Sequence, residues 1–473
     1  MTPNAPWRPR YTRRRFLTWC SITASLGIPI ACRAGTPAAS PSPSAAPPPP
    51  TPTTAVRATA RQASVAVPSV TTVPTPLPAA RHPTATIAPA TPETRTATSA
   101  AKLNYLHTDG PKILDASGHE VTLTGLNWFG METDTLAPHG LWVRSYESML
   151  DQIVHEGYNC LRLPFSNSLF DPKRRPNGID FSKNPSLEGL NGLQIMDTVV
   201  VAAGKRGLKI ILDQHRPDTS AQSALWYTDK LSQAEWIAQW QALAARYQGN
   251  DAVIGADLHN EPSGPCTWGS GDPKTDWAIA AEACGNAILS VNPNWLILVE
   301  GIEKMVDSSG NPIDWTWQGG ELMNARTRPI HLSVPHRLVY SPHDYGPSVY
   351  GQRWFTDPTF PDNMPGFWDK HWGYLAQEGT APILVGEFGG RSVGSDREGE
   401  WQRALVKYLK DNRLHYTYWC LNPNSGDTGG LLKDDWRSVD LAKEELLKTY
   451  QGRLLENQAP GVVDVAAVPP TSS

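Results

Sequence analysis

Residues Asp257–Pro262 read Asp-Leu-His-Asn-Glu-Pro, behind the apolar run Ala252–Ala256 and ahead of a loop rich in Ser, Gly and Pro. That order places Asn260 and Glu261 where a buried strand reaches the surface. A second stretch, Ile383–Gly390, ends the same way: Ile-Leu-Val-Gly, then Glu387, then Phe and two glycines that let the backbone turn away. Two carboxylates at two strand ends, one as acid and the other as nucleophile or base, are what hydrolysis of a glycosidic bond requires. A single Glu in such a place is ordinarily a loop cap or a solvated charge. The pair, with its flanking residues, is what points to chemistry.

The elements that must position this pair follow from hydrophobic patterning. Strands are predicted at Thr124–Trp128, Asn159–Phe165, Lys209–Asp213, Val253–Leu258, Trp295–Glu300, Arg337–Ser341, Ile383–Gly386 and Tyr416–Leu421. Between and after them, helices are predicted at Tyr146–Glu156, Leu193–Lys205, Gln233–Tyr247, Asp276–Ser290, Phe367–Glu378, Glu400–Asn412 and Leu441–Tyr450. A short antiparallel entry, Leu103–Leu123, precedes them, with a turn at Asp109-Gly110. About eight apolar strands alternating with helices over ~350 residues predict an α/β fold of the (β/α)8 TIM-barrel type with a short N-terminal β-hairpin extension. An open doubly wound sheet is the alternative, but no Gly-x-Gly-x-x-Gly follows the first strand.

In a closed barrel the C-terminal strand ends meet on one face. Those ends carry Trp128, Arg162, His215, Asn260 with Glu261, Glu300, His343 with Tyr345, Glu387 and Trp419. Each has a bland reading when taken singly. Arg162 can partner a buried carboxylate, with Asp213 the obvious candidate, and Glu300 can be a plain loop charge. Lone histidines are more often structural than catalytic, and Trp128 and Trp419 suit a core as well as a binding platform.

Composition divides the chain. Arg13, Arg14 and Arg15, then Phe16, Leu17 and an apolar stretch to Ala31, resemble a twin-arginine export signal over residues 1–34. The apolar run is short and broken, so it is not read as a membrane-spanning helix. Cleavage near Ala34 and lipidation of Cys32 both stay open, the latter giving an N-terminal lipid anchor; either way a secreted or surface-tethered protein is expected. Residues 35–100, almost all Pro, Thr, Ala, Ser and Val, predict a disordered, partly polyproline II linker. The folded part is expected at 101–455, with a flexible tail at 456–473.

Ten of the 42 basic side chains and one of the 46 acidic ones lie in the first hundred residues, leaving 32 and 45, a net charge of about −13 for the rest. Such a charge argues against a nucleic-acid partner. Cys160, Cys266, Cys284 and Cys420 lack CxxC spacing or a His cluster, so neither a zinc site nor a dense disulfide framework is expected. No cofactor or metal is expected, and a monomer is. Eighteen Trp against nine Phe is a skew toward flat amphipathic rings, which stack on the C–H faces of pyranoses.

At Asn260-Glu261-Pro262 together with Gly386-Glu387-Phe388-Gly389, the sequence resembles glycoside hydrolase family 5, and most of all its secreted bacterial endo-β-1,4-glucanases. Tyr158–Pro164, Ser223–Tyr227, Asp357–Pro365 and Ser425–Trp436 are similar to stretches of that group. The resemblance implies a retaining hydrolase acting on a β-glucan polysaccharide, with Glu261 as acid/base and Glu387 as nucleophile. It implies that Arg162 and Tyr345 hydrogen-bond the nucleophile, that Asn260 holds the 2-hydroxyl of the sugar under attack, and that His215 and His343 make polar contacts around it. Trp419 would form the aromatic floor beneath that sugar. Trp128 is counted with the substrate-binding set, and Trp226, Trp268, Trp317, Trp354 and Trp436 are candidates for flanking subsites. A mannanase or other β-glycanase on the same scaffold is a neighbouring reading, and a non-catalytic carbohydrate-binding surface protein a more distant one. Thr219, Thr267 and Ser270 stand where close relatives carry cysteines, so the loop disulfides of the group are expected to be absent. Gln318 and Leu421 replace expected aromatic residues.

Overall fold

The computed structural model describes residues 103–307 and 309–458. The export signal, the linker, Cys32 and all but the first three residues of the tail lie outside the described residues.

Eight parallel strands form the centre of the fold: β1 (Thr124–Asn127), β2 (Cys160–Ser166), β3 (Lys209–Arg216), β4 (Val253–Asp257), β5 (Leu296–Val299), β6 (Leu338–Tyr340), β7 (Leu384–Val385) and β8 (His415–Tyr418). Their order is β6-β5-β4-β3-β2-β1-β8-β7. Parallel bridges from Tyr340 to Ile383 and from His343 to Glu387 join β6 to β7, which closes the ring. The predicted barrel is therefore present. Its strands are buried along nearly their whole length, which is why they read as apolar runs rather than as alternating patterns.

The barrel interior is plugged from its N-terminal end. Ile211, Ile254, Leu296, Leu298, Val339 and Leu384 from the strands pack with Leu106, Ile113 and Val121 of the entry segment. That segment is a three-stranded antiparallel sheet, His107–Asp109, Lys112–Leu114 and Glu120–Val121. Its first turn uses Gly110 at φ +53°, a conformation open to glycine at little steric cost. The larger apolar cluster lies between the strands and the surrounding helices.

Those helices begin where side chains cap them. Asn191 with Gln194 and Ser232 with Glu235 form capping boxes, and Asp276, Asp396 and Asp440 cap later helices. The helix Gln233–Arg246 also reaches the site stretch: Trp236 and Trp240 each donate an indole N–H, at 3.1 Å, to the carbonyl of Leu258, two residues before Asn260.

Two features depart from the prediction. The helix expected at Phe367–Glu378 is in three pieces, Met364–Trp368, a π-turn at Asp369–Gly373 and Tyr374–Gln377. The widened turn sits where Gly373 meets the Tyr408 hydroxyl so closely that a Cβ would fall 1.9 Å from it. A hairpin, Lys304–Val306 with Pro312–Trp315, follows β5 and was not expected. Its short strands are only partly buried and lack a period-2 apolar signature. No helix among the described residues is long and apolar enough to cross a membrane.

The Trp240 ring is core and its N–H holds the main chain ahead of the site. Trp240→Ala is expected to lower stability by about 3–5 kcal/mol. Trp240→Phe, which keeps most of the ring, should lose only about 0.5–1.5 kcal/mol. Denaturant unfolding of the three proteins measures both.

Candidate active site

Arg162, on β2, lies fully buried at the C-terminal mouth of the barrel. Its Nε donates to Asp257 at 2.9 Å, Nη1 to Asn127 at 3.0 Å and to Glu387 at 2.8 Å, and Nη2 to Asn260 and Glu300 at 3.2 Å each. Asp213 stands 3.1 Å from Nη1. Asp213, expected as the partner, is thus one of four carboxylates around one guanidinium. Burial alone would lower the pKa of Arg162, but these carboxylates together hold it well above its ordinary value. One cation does not neutralise four anions. Burial pushes Asp213 up to about 8 and Asp257 up to about 7, with Arg162 opposing in each case, and it raises Glu300 well above the ordinary range.

Glu387 and Glu261 face one another across this cluster. Glu387 accepts from Arg162 through Oε1 and from the Tyr345 hydroxyl through Oε2. Glu261 accepts from Gln222 at 3.0 Å through Oε2, and its Oε1 lies 3.2 Å from His343 Nδ1. That same nitrogen is 3.8 Å from Glu387 Oε2. One oxygen of Glu261, one of Glu387 and a nitrogen of His343 all fall within 4.8 Å of each other. The surroundings of the two carboxylates differ: guanidinium and phenol on Glu387, imidazole and amide on Glu261.

His215 is held by Asp213, 2.7 Å from its Nδ1. Its ring is stacked with Trp419 at 5.4 Å and 8°, and Trp419 in turn with Phe129 at 5.4 Å and 9°. The Asn260 carbonyl is fixed by Arg162, while its buried Nδ2 has no hydrogen-bond partner among the described residues. Beyond Trp419 a cavity of about 1030 Å³ opens between the loops after β1 and β8, lined by His139, Trp142, Ser425 and Trp436 among others. Ser425 accepts the Trp419 indole N–H at 3.3 Å.

The structure brings Arg162, His215, Asn260, Glu261, His343, Tyr345, Glu387 and Trp419 into one cluster. Two expected platforms are corrected. Trp128 is fully buried with its N–H on the His139 carbonyl, and Trp226 is fully buried against Trp236 and Trp277 with its N–H on Gln233. Neither presents a face to a sugar. Trp226 follows a loop pattern in sequence, but the loop folds it into the layer between strands and helices. Trp317 lies beside Tyr345, ring centres 5.9 Å apart, and is 7% exposed. Trp268, Trp354 and Trp436 are also buried, whereas Trp142, 37% exposed beside the cavity, drew no attention in the sequence.

Two other residues bear on the site, one read in the sequence without a role and one not read there. Glu300, taken as a possible loop charge, is buried and accepts the Glu261 backbone N–H. Asp344, between His343 and Tyr345, accepts indole N–H groups from Trp368 and Trp401 at 3.0 and 2.9 Å and donates its own backbone N–H to the Glu387 carbonyl at 3.0 Å. Burial raises its pKa to about 8. Glu300 had a legible signal, its place at a strand end; Asp344 had none until its partners met. All four cysteines of the barrel are free, and Thr267 and Ser270, two of the positions where relatives were expected to carry cysteines, share a 2.7 Å hydrogen bond. Among the described residues four groups of His and carboxylate come close enough to ligate a cation, three of them in this cluster and the fourth at Asp314, Glu321 and His371; in the cluster, Arg162, Tyr345 and the Glu261 N–H already donate to several of the oxygens.

A barrel with this constellation at its C-terminal face is the architecture of a retaining glycosidase. Residues 114–425 match the family model "Cellulase (glycosyl hydrolase family 5)". An endoglucanase of Paenibacillus polymyxa is 54% identical over 361 residues, 76% of this chain and 89% of that protein. The major extracellular endoglucanase of Xanthomonas campestris pv. campestris is 44% identical over 352 residues, 74% of this chain and 72% of that one. A solved cellotetraose complex of an endocellulase variant from Pyrococcus horikoshii superposes with a TM-score of 0.69 at 41% identity, covering 74% of this chain and 99% of that one. The chain belongs to the cellulase family, glycosyl hydrolase family 5, and is a glycoside hydrolase.

The Asp213 pKa is raised in the folded protein, so its contribution to stability is complete below the unfolded-state value and is lost as pH rises through about 8. Asp213→Asn removes that proton-binding site. Unfolding free energies measured by denaturant between pH 5 and 9 are expected to fall less steeply with pH in the variant than in the parent.

Proposed function

We propose that this protein is a secreted, retaining endo-β-1,4-glucanase that cleaves internal bonds of cellulose and related β-glucans. Glu261 is its acid/base and Glu387 its nucleophile. The observation that carries the reading is the approach of the two carboxylates, oxygens within 4.8 Å, in unlike surroundings. Retaining enzymes hold the pair about 5–5.5 Å apart, too close for a water to stand between nucleophile and anomeric carbon.

In the first displacement, Glu387 attacks the anomeric carbon while Glu261 gives its proton to the departing glycosidic oxygen. Arg162 and Tyr345, each on a different oxygen of Glu387, favour the anion that attacks. Glu261 then takes a proton from water, which opens the glycosyl-enzyme bond and restores the first configuration. The partnerless Nδ2 of Asn260 suits the 2-hydroxyl of the reacting sugar, and the stacked Trp419 offers a flat floor beneath it. His215 and His343 supply polar contacts at either side, and Trp317 borders the cleft.

Relatives named as endoglucanases, and a cellotetraose complex among the similar structures, support a β-1,4-glucan as substrate. The Thr12–Leu17 motif, and an extracellular relative, support export. Residues 35–100 then serve as a linker ahead of the barrel. Mass spectrometry of the mature N-terminus distinguishes cleavage near Ala34 from a lipid on Cys32.

Glu387→Gln is expected to abolish turnover with fold and oligosaccharide binding retained; hydrolysis of glucan near the parent rate refutes the nucleophile assignment. Glu261→Ala is expected to lose about 10²–10⁴-fold on cellulose but far less on aryl glycosides whose leaving group needs no proton. A panel of carboxymethylcellulose, barley glucan, xylan and mannan reads the specificity. Mannan cleaved fastest would replace glucanase with mannanase.

A further inference from the structure

We infer that Glu300 is a positioning residue for the acid/base: it braces Glu261 from behind, through the Glu261 backbone N–H. The inference rests on the reading of Glu261 as acid/base and deepens it.

Glu261 stands at φ +56°, in the left-handed region that a residue with a Cβ adopts only when its surroundings hold it there. What holds it is visible. Glu300 Oε2 accepts the Glu261 backbone N–H at 2.8 Å. The other oxygen, Oε1, lies 3.2 Å from Arg162 Nη2 and 3.2 Å from His343 Nε2. His343 in turn presents Nδ1 to the Glu261 carboxyl at 3.2 Å. One carboxylate therefore holds Glu261 directly at its main chain and lies beside the imidazole that borders its side-chain oxygen.

Glu300 is itself fixed. Its carbonyl accepts the Trp277 indole N–H at 2.9 Å, and its side chain is fully buried. Gly319 provides independent support. A Cβ added there would stand 2.3 Å from Glu300 Oε2 and 3.4 Å from the Glu261 Cα, so the loop crosses this contact at a point where only glycine leaves room for it. Gly319 also has φ +74° and accepts the backbone N–H of Gly301 at 2.8 Å, which ties the crossing loop to the residue after Glu300. A loop charge would need none of these provisions. Without Glu300, the Glu261 peptide is free to relax and the carboxyl moves off the line to the glycosidic oxygen, where a displacement of 1 Å costs about 10²-fold in rate.

The test compares Glu300→Ala, Glu300→Gln, Gly319→Ala and Glu261→Ala with the parent. The readout is kcat/KM on cellopentaose and on an aryl β-cellobioside with a strongly acidic phenol, with thermal unfolding as the control for folding. Glu300→Ala is expected to lose about 10²-fold on cellopentaose and less than about tenfold on the activated substrate, since only the former needs a well-aimed acid. Glu300→Gln keeps an oxygen for the Glu261 N–H and should recover much of the loss. Gly319→Ala, by displacing that oxygen, should reproduce the split seen with Glu300→Ala.

Equal losses on both substrates for Glu300→Ala, or a Glu300→Gln no better than Glu300→Ala, overturn the inference. Should Glu300→Ala fail to fold, Gly319→Ala and Glu300→Gln decide it by the same split. If Glu261→Ala itself shows no split, the acid assignment falls. If Glu261→Ala shows it and the Glu300 and Gly319 variants do not, the positioning role alone falls.

Discussion

A single buried guanidinium organises the mouth of this barrel. Arg162 meets carboxylates that arrive from β3, β4 and the ends of β5 and β7, together with the amides of Asn127 and Asn260. Such a cation is costly to desolvate and repays that only when its donors are well satisfied. Here the planar fork of Arg is filled from several sides, which a point-charge Lys cannot reproduce. The cluster ties β1 through β5 and also β7 to one another, so the geometry of the site and the closure of the barrel rest on the same contacts. Burial among this surplus of carboxylates raises the proton affinities of Asp213, Asp257 and Glu300.

A second tier of contacts fixes the backbone that carries the site. Indole N–H groups recur in this role: Trp236 and Trp240 on Leu258, Trp277 on Glu300, Trp368 and Trp401 on Asp344. Each joins the helical layer to the chain just before, at or after a strand end. The tryptophan excess is therefore divided between two tasks. Much of it is an apolar filling with one polar handle that anchors main chain, and Trp419 stacks between His215 and Phe129 beside the carboxylate cluster.

The closing of the ring also bears on the chemistry. β6 and β7 are the shortest strands of the barrel, and the bridge between His343 and Glu387 extends their pairing into the carboxylate cluster. Gly386 makes this approach possible, because a Cβ there would fall 2.6 Å from Ser341 Oγ and 2.9 Å from His343 Nε2. Glu387 and His343 thus sit on paired backbone, while Glu261, beyond the end of β4, is held through its N–H by the Glu300 side chain.

Much was legible before folding. The eight apolar runs alternating with helices gave the barrel, since fully buried parallel strands must be apolar on both faces. Glu261, Glu387, Arg162, Asn260, His215, His343, Tyr345 and Trp419 were all legible as polar or aromatic residues at strand ends, which any closed barrel brings to one face. Tertiary structure alone decided which aromatic residues are reachable: Trp226 and Trp128 share the composition of a platform, but packing buries them, and exposure is not a property of spacing. It alone distinguished Glu300 from a solvated loop charge, because a carboxylate's meaning lies in the donors that approach it. It also gave Asp344 its indole partners from two helices distant in sequence. Sequence sets which groups reach the mouth of the barrel, through periodicity and strand ends; long-range packing sets which of them touch, because distances below hydrogen-bond length depend on how helices settle against the strands.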